Sequence, residues 1–209
     1  MIITLVGMSN CGKTHWSKRL EEEGWTRIGC DDLIARRLLP LADQSGQEGG
    51  TSLAGWLGQP CDVGFRDREK KCVEAEQAVM HEVIARAKNE TGDVVIDTSG
   101  SVIYTDEATR QALRDLSCVV YLETGVDHLQ SMTDLFFVHP KSLIWGDEYA
   151  AQEGETYEQT IRRCYPVLVQ NRLWQYRDLA HVTIPWECYR SQTFTTKDLL
   201  HAVLQHQQP

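Results

Sequence analysis

Apolar and polar residues alternate along the chain in blocks. Short apolar runs, rich in β-branched residues, stand at Ile2–Val6, Val94–Ile96, Cys118–Leu122 and His181–Ile184, with a weaker one at Trp25–Gly29. Such runs, bounded by turn residues, read as strands buried on both faces. Longer segments between them repeat apolar residues at helical spacing: Lys13–Glu23, Asp31–Leu39, Phe65–Lys88, Glu107–Leu116, Asp127–Phe137, Thr156–Leu179 and Lys197–Gln205. The alternation predicts an α/β fold: a central parallel sheet of about five strands flanked by helices. The Gly-rich stretch Asp43–Thr51 reads as a loop, as does Val138–Glu155, which holds Pro140, Gly146 and Gly154. With no internal repeat, residues 1–209 form one domain, carrying an insertion at 43–64 and a lid at 138–155.

The turn after the first apolar run is the most specific signal. Gly7–Thr14 reads Gly-Met-Ser-Asn-Cys-Gly-Lys-Thr, a full match to the G-x-x-x-x-G-K-[ST] phosphate loop, between a strand and a helix. In such a P-loop NTPase arrangement Gly7, Ser9, Asn10, Cys11, Gly12, Lys13 and Thr14 bind the nucleotide. Backbone N–H groups of Ser9–Lys13 wrap a phosphate at the helix N-terminus, Lys13 neutralises β- and γ-oxygens, and Thr14 ligates Mg²⁺. The expected cofactors are ATP and Mg²⁺. A plain Gly-rich turn after a strand is the alternative reading.

Composition narrows the partners. The 209 residues carry 21 Lys and Arg against 30 Asp and Glu, a net charge of −9. That balance argues against a broad nucleic-acid surface and leaves room for a compact anion held by converging cations. Seven scattered cysteines, without a C-x-x-C pair, read as reduced thiols. No apolar run approaches the roughly 20 residues of a membrane span, and the chain opens directly on a strand with no export signal. The expectation is a cytoplasmic protein, monomeric, without membrane or nucleic-acid partners.

In parallel sheets ligands gather at the carboxyl ends of the strands. The turn after the second run holds Asp31 and Asp32. Either caps the following helix, or Asp31 faces the cleft to orient or deprotonate a hydroxyl. Asp97 closes the third run, where a carboxylate holds a water of a Mg²⁺ shell or merely ends a strand. Ser99, Gly100 and Ser101 then form either a small-residue turn that lets backbone approach a ligand closely or a plain turn. Arg66 stands at a helix start, against the helix dipole. It grips an anion, or pairs with Glu69 at i, i+3. Arg172 has the same two readings. Lys141, Arg162 and Arg163, on or near the lid, are placed to reach the γ-phosphate when it closes, and Arg162 and Arg163 read equally as surface charge.

Taken in order, these motifs resemble the shikimate kinase family over nearly the whole chain. Gly7–Thr14 matches its ATP loop, Asp31 the second aspartate of its D-x-D, and Phe65–Glu69 its F-R-x-x-E. Ile96–Ile103 is similar to its Gly-Gly-Gly substrate turn, Lys141–Ile144 to its R-P-L-L lid motif, and Asn171–Tyr176 to its R-x-x-x-Y. The resemblance implies that Asp31 holds the reacting hydroxyl and that Arg66 and Arg172 hold a carboxylate. It further implies that Lys13 and Lys141 stabilise the transferring phosphoryl group, and that Pro185–Thr195 passes near the adenine. Three positions depart from the pattern: Gly29 replaces the first aspartate, Ser99-Gly100-Ser101 replaces the glycine turn, and Lys141 replaces an arginine.

The implied function is ATP-dependent phosphorylation of a hydroxyl on a small carboxylated polyol, an anionic hydroxy acid with shikimate the first candidate. A gluconate- or nucleotide-type kinase is the nearest alternative. A nucleotide-binding protein that keeps the fold without transfer is another, and Gly29 and Lys141 are the features it would cite.

Overall fold

In the computed structural model, which describes residues 1–39, 49–125, 129–138 and 142–206, the five apolar runs are strands. They are β1 (Ile2–Val6), β2 (Thr26–Gly29), β3 (Val94–Asp97), β4 (Cys118–Leu122) and β5 (Val182–Ile184). All pairs are parallel, in the order β2-β3-β1-β4-β5. The side-chain period of two divides the core between the faces. Ile3, Leu5, Val95, Val120 and Leu122 pack on one side; Val6, Ile28, Val94, Ile96, Val119 and Tyr121 pack on the other. Both faces are covered, as a parallel sheet requires.

The helices among the described residues are α1 (Lys13–Glu22), α2 (Cys30–Leu38), α3 (Gly49–Leu57), α4 (Phe65–Asn89), α5 (Glu107–Leu116), α6 (Leu129–Val138), α7 (Tyr157–Leu179), α8 (Trp186–Tyr189) and α9 (Thr196–His206). Local signals set several ends. Asp106 caps α5 by accepting from the Thr109 N–H at 2.7 Å. Thr156 and Gln159 form a capping box at the start of α7.

Two expectations change. The loop expected over Asp43–Thr51 lies outside the described residues at 43–48, and Gly49–Thr51 is the first turn of α3. Two adjacent glycines disfavour a helix locally. Burial of Leu53 and Leu57 as α3 packs on α2 and α4 outweighs that cost, at roughly 1.5–3 kcal/mol per fully buried leucine. The second loop begins inside α6, whose last residue is Val138; of its remainder, 142–155 is described. This stretch is docked on the body: Trp145 is fully buried, against Phe136, Tyr149 and Tyr165. The helix expected from Asp127 is described from Leu129 onward.

Register fixes what faces the cleft. Asp97 is level with Leu5 of β1 and Gly29 of β2, so the turns after β1, β2 and β3 leave one sheet edge side by side.

Candidate active site

The turn after β1 needs its glycines. Gly7 has φ 144°, and a Cβ there would lie 2.8 Å from the Leu122 carbonyl oxygen and 2.8 Å from Cys11 Sγ. Gly12, at φ 106°, ends the loop as the N-cap of α1. No side chain caps this helix start, which leaves its backbone donors to a ligand. Lys13, buried beneath the loop, donates to the Gly7 carbonyl at 2.8 Å and to that of Met8 at 3.1 Å. Its ammonium thus sits under the cradle that a phosphate would occupy.

After β2, Gly29 is the N-cap of α2, and Asp31 and Asp32 lie in the first turn. Neither aspartate therefore caps the helix. Their charge complements the helix dipole, and Asp31 lines the cleft. Burial raises the Asp31 carboxyl above the usual aspartate range, opposed by the charge of Lys13. Asp97 is buried and accepts on one oxygen from Arg27 Nη2 at 2.6 Å and Ser17 Oγ at 2.9 Å. Arg27 Nε reaches the same Ser17 oxygen at 2.8 Å, so β2, β3 and α1 are joined beside the phosphate loop.

The turn after β3 meets α4 and α7. Ser99 and Ser101 each donate a hydroxyl to one oxygen of the buried Glu76 carboxylate of α4. Arg172 and Tyr176, one turn apart on α7, both reach the Gly100 carbonyl, Arg172 Nη1 at 3.5 Å. Arg172 also donates to the Ile144 carbonyl, and to the Tyr104 hydroxyl at 3.3 Å. It is 1% exposed and lines the cleft, yet its hydrogen-bond partners among the described residues are carbonyls and a phenol, none of them anionic. A guanidinium so placed favours an incoming anion strongly.

A single cleft of about 870 Å³ is lined by Ser9, Asn10, Gly12, Lys13, Thr14, Asp31, Asp97, Ser99, Gly100, Ser101 and Arg172. Other expected positions stand elsewhere. Gly7 and Cys11 form the loop's base, and Cys11 is buried. Arg66 pairs with Glu69 at 3.0 Å and donates to the carbonyls of Gly146 and Tyr149, which keeps it outside the cleft lining. Glu69, itself buried, accepts from the N–H groups of Trp145 and Gly146. In this geometry the F-R-x-x-E motif fastens the 145–149 segment. Arg162 pairs with Glu158 at 2.8 Å and lies over the Phe137 ring at 4.5 Å; Arg163 pairs with Glu155 at 2.7 Å. Neither lines the cleft. Lys141 lies outside the described residues. All seven cysteines are unpaired, and burial pushes the Cys72 thiol at the cleft wall up to about 12, away from any nucleophilic role near neutrality.

Three participants were missing from the sequence reading, and two left a trace there. Arg27 is a charged residue inside a short strand whose neighbour Ile28 is core. Glu76 falls in the apolar stripe of α4, among Cys72, Val79, Met80 and Val83. A charge at a core position of a buried element requires a partner. Arg190 is the third: it lies over Trp186 at 4.3 Å, donates to the Asn10 carbonyl at 2.5 Å, and brings the Pro185–Thr195 segment to the cleft. No helix among the described residues is long and apolar enough to cross a membrane.

No family model and no curated protein sequence matches the chain. Solved structures do. The chain is similar to "Shikimate kinase from Acinetobacter baumannii in complex with shikimate", at 24% identity and a TM-score of 0.54, over 98% of this chain and 90% of that one. It is also similar to a shikimate kinase from Bacteroides thetaiotaomicron, at 18% identity and a TM-score of 0.55, over 99% of this chain and 96% of that one. At such identities the likeness is one of fold: the chain has a P-loop NTPase fold, arranged as in shikimate kinases over nearly its whole length.

Proposed function

We propose that the protein is a kinase that transfers the γ-phosphoryl group of ATP to a hydroxyl of a small anion, with shikimate the first acid to try. The observation that carries this reading is the placement of Arg172 and Asp31 in the same cleft as Lys13 and the open start of α1. A phosphate cradle alone serves many reactions. Joined to a raised carboxyl and a buried cation whose hydrogen-bond partners among the described residues are all uncharged, it fits phosphoryl transfer onto an anionic alcohol.

The donor set suits Mg²⁺ held mainly by nucleotide phosphates and water. Among the described residues no cluster of three or more His, Cys, Asp or Glu stands ready for a metal, and Thr14 and Asp97 are two of the side-chain oxygen donors that line the cleft. Thr14 would ligate the ion and Asp97 would hold one of its waters; Mg²⁺ so bound supplies charge neutralisation on the phosphates. Lys13 adds positive charge where the phosphoryl group passes. Arg172 holds the anionic end of the acceptor, and Asp31 accepts the proton of its hydroxyl or orients it for in-line attack. The docked 142–155 segment, whose Ser142, Leu143 and Ile144 line the cleft, helps to keep water out.

A coupled ADP-release assay across shikimate, quinate, gluconate and short hydroxy acids tests the reading. Release that depends on one acid is the expected result. Normal ATP binding without release for any acid would instead favour a nucleotide-binding protein that performs no transfer.

A further inference from the structure

The wall formed by Ser99 and Ser101 has a polarity of its own. Glu76 is 1% exposed and takes a hydroxyl on each carboxylate oxygen, Ser99 on one and Ser101 on the other. An ionised carboxylate only accepts, so both hydroxyl protons are committed to it. Each serine oxygen then has only lone pairs left for anything else. Ser99 Oγ uses one for the Ser101 N–H at 3.1 Å, and the two hydroxyl oxygens stand 3.1 Å apart. Gly100 between them cannot alter this, because Arg172 and Tyr176 hold its carbonyl.

We propose that Glu76 is a specificity-determining positioning residue: by fixing both serine hydroxyls it makes this wall a pair of acceptors, selecting an anion that also carries a hydroxyl or ammonium donor. The proposal rests on the reading of the cleft as the site of an anionic acceptor. Arg172 on the same wall takes the anionic group, while the serine pair, backed by a carboxylate, disfavours a second anion and rewards a donor. Glu76 does not line the cleft and acts only through the serines. The charged groups it feels are Asp31 of α2 and Arg172 of α7. Burial, opposed by the hydrogen bonds from Ser101 and Ser99, pushes its carboxyl up to about 7, so the ionised form is favoured on the alkaline side, at pH 8. The arrangement exceeds what stapling α4 to a turn requires, since one hydroxyl would serve that purpose.

The test is calorimetric binding at pH 8 in the presence of ADP and Mg²⁺. The probes are shikimate, gluconate and L-homoserine, each set against its bare acid: cyclohex-1-enecarboxylate, hexanoate and butanoate. At least one polar probe should bind about tenfold or more tighter than its bare partner, because a site built to pair a polar group rejects analogues lacking it. Ser99→Ala/Ser101→Ala should reduce that ratio to about threefold or less, with ADP affinity unchanged. Glu76→Gln, which offers one acceptor and one donor, should reduce it too, and serves if the double variant does not fold. An unchanged ratio in a variant that binds ADP normally overturns the proposal, as does equal or absent binding of every pair by the wild type. Discrimination without ADP release from ATP would leave this inference standing and remove the kinase reading. ADP release with unchanged discrimination in the variants would do the reverse.

Discussion

Arg27 donates to Asp97 at 2.6 Å while passing over Gly29, where a Cβ would lie 3.1 Å from the guanidinium and 2.9 Å from Asp32 Oδ2. The glycine that departs from the D-x-D pattern and the arginine that fills its space belong to one arrangement. Removing the cation leaves Asp97, 4% exposed, as a buried carboxylate without its ion-pair partner. Arg27→Met should therefore cost about 3 kcal/mol of stability, read from the urea midpoint. Arg27→Lys should recover only part, since one ammonium does not reproduce the fork to Asp97 and Ser17. An unchanged midpoint in Arg27→Met would mean that Asp97 needs no partner.

Asp31→Asn should leave nucleotide affinity intact and lower turnover by roughly 10²–10⁴-fold, the usual worth of a positioned acid or base. The Asp31 carboxyl is raised by burial, and as a base it would work only when ionised. In the wild type kcat should thus climb with pH through a titration above the ordinary aspartate range, and fall away on acidification. A pH profile flat through the weakly acidic range would contradict the assignment.

The two arginines of the family pattern should separate in kinetics. Arg172→Met removes the buried guanidinium at the cleft and should raise KM for the acid by tenfold or more, about the value of a charge-assisted hydrogen bond. Arg66→Met loosens the contacts to Gly146, Tyr149 and Glu69. It should leave KM for the acid within about twofold and speed hydrogen exchange at residues 145–149. A large KM effect at Arg66 would show that it enters the cleft during turnover.

Glu76 makes stability depend on pH in a stated direction. Its carboxyl titrates near 7 in the folded chain, against 4.5 for an ordinary glutamate, because burial penalises the charge. The folded state therefore binds more protons than the unfolded one between these values. Its stabilising share is complete below pH 4.5 and is lost as pH rises through 7, on the order of 3 kcal/mol. Glu76→Gln should match the wild type at pH 5 and exceed it in Tm at pH 8. Equal melting differences at both pH values would place the Glu76 titration outside this window.

The geometry of the turn after β1 was legible in one dimension because it is local. A strand, a glycine pair with positive φ, a lysine and a helix start lie within Ile2–Thr14, and their spacing alone specifies a phosphate cradle. The five strands were legible as well, since a parallel sheet covered on both faces demands continuous apolar runs. Arg172 and Tyr176 could be paired from their helical spacing, though not with Gly100.

The rest of the cleft depends on distances that only the folded chain sets. Glu76 and Ser101 are 25 residues apart, Arg27 and Asp97 are 70 apart, and Arg172 meets Gly100 across 72. Helix α3 was missed because its glycines oppose a helix locally and only packing on α2 and α4 favours one. Of the two readings of Arg66, the fold shows the pair with Glu69 and adds the 146–149 backbone, which answers its unusual place at a helix start without a ligand. The sequence by itself determined the fold class and the geometry of the turn between β1 and α1, where hydrophobic periodicity and short-range backbone geometry suffice. Tertiary structure decided which charges are buried together, because the cost of a buried charge is settled only by the partners that folding brings to it.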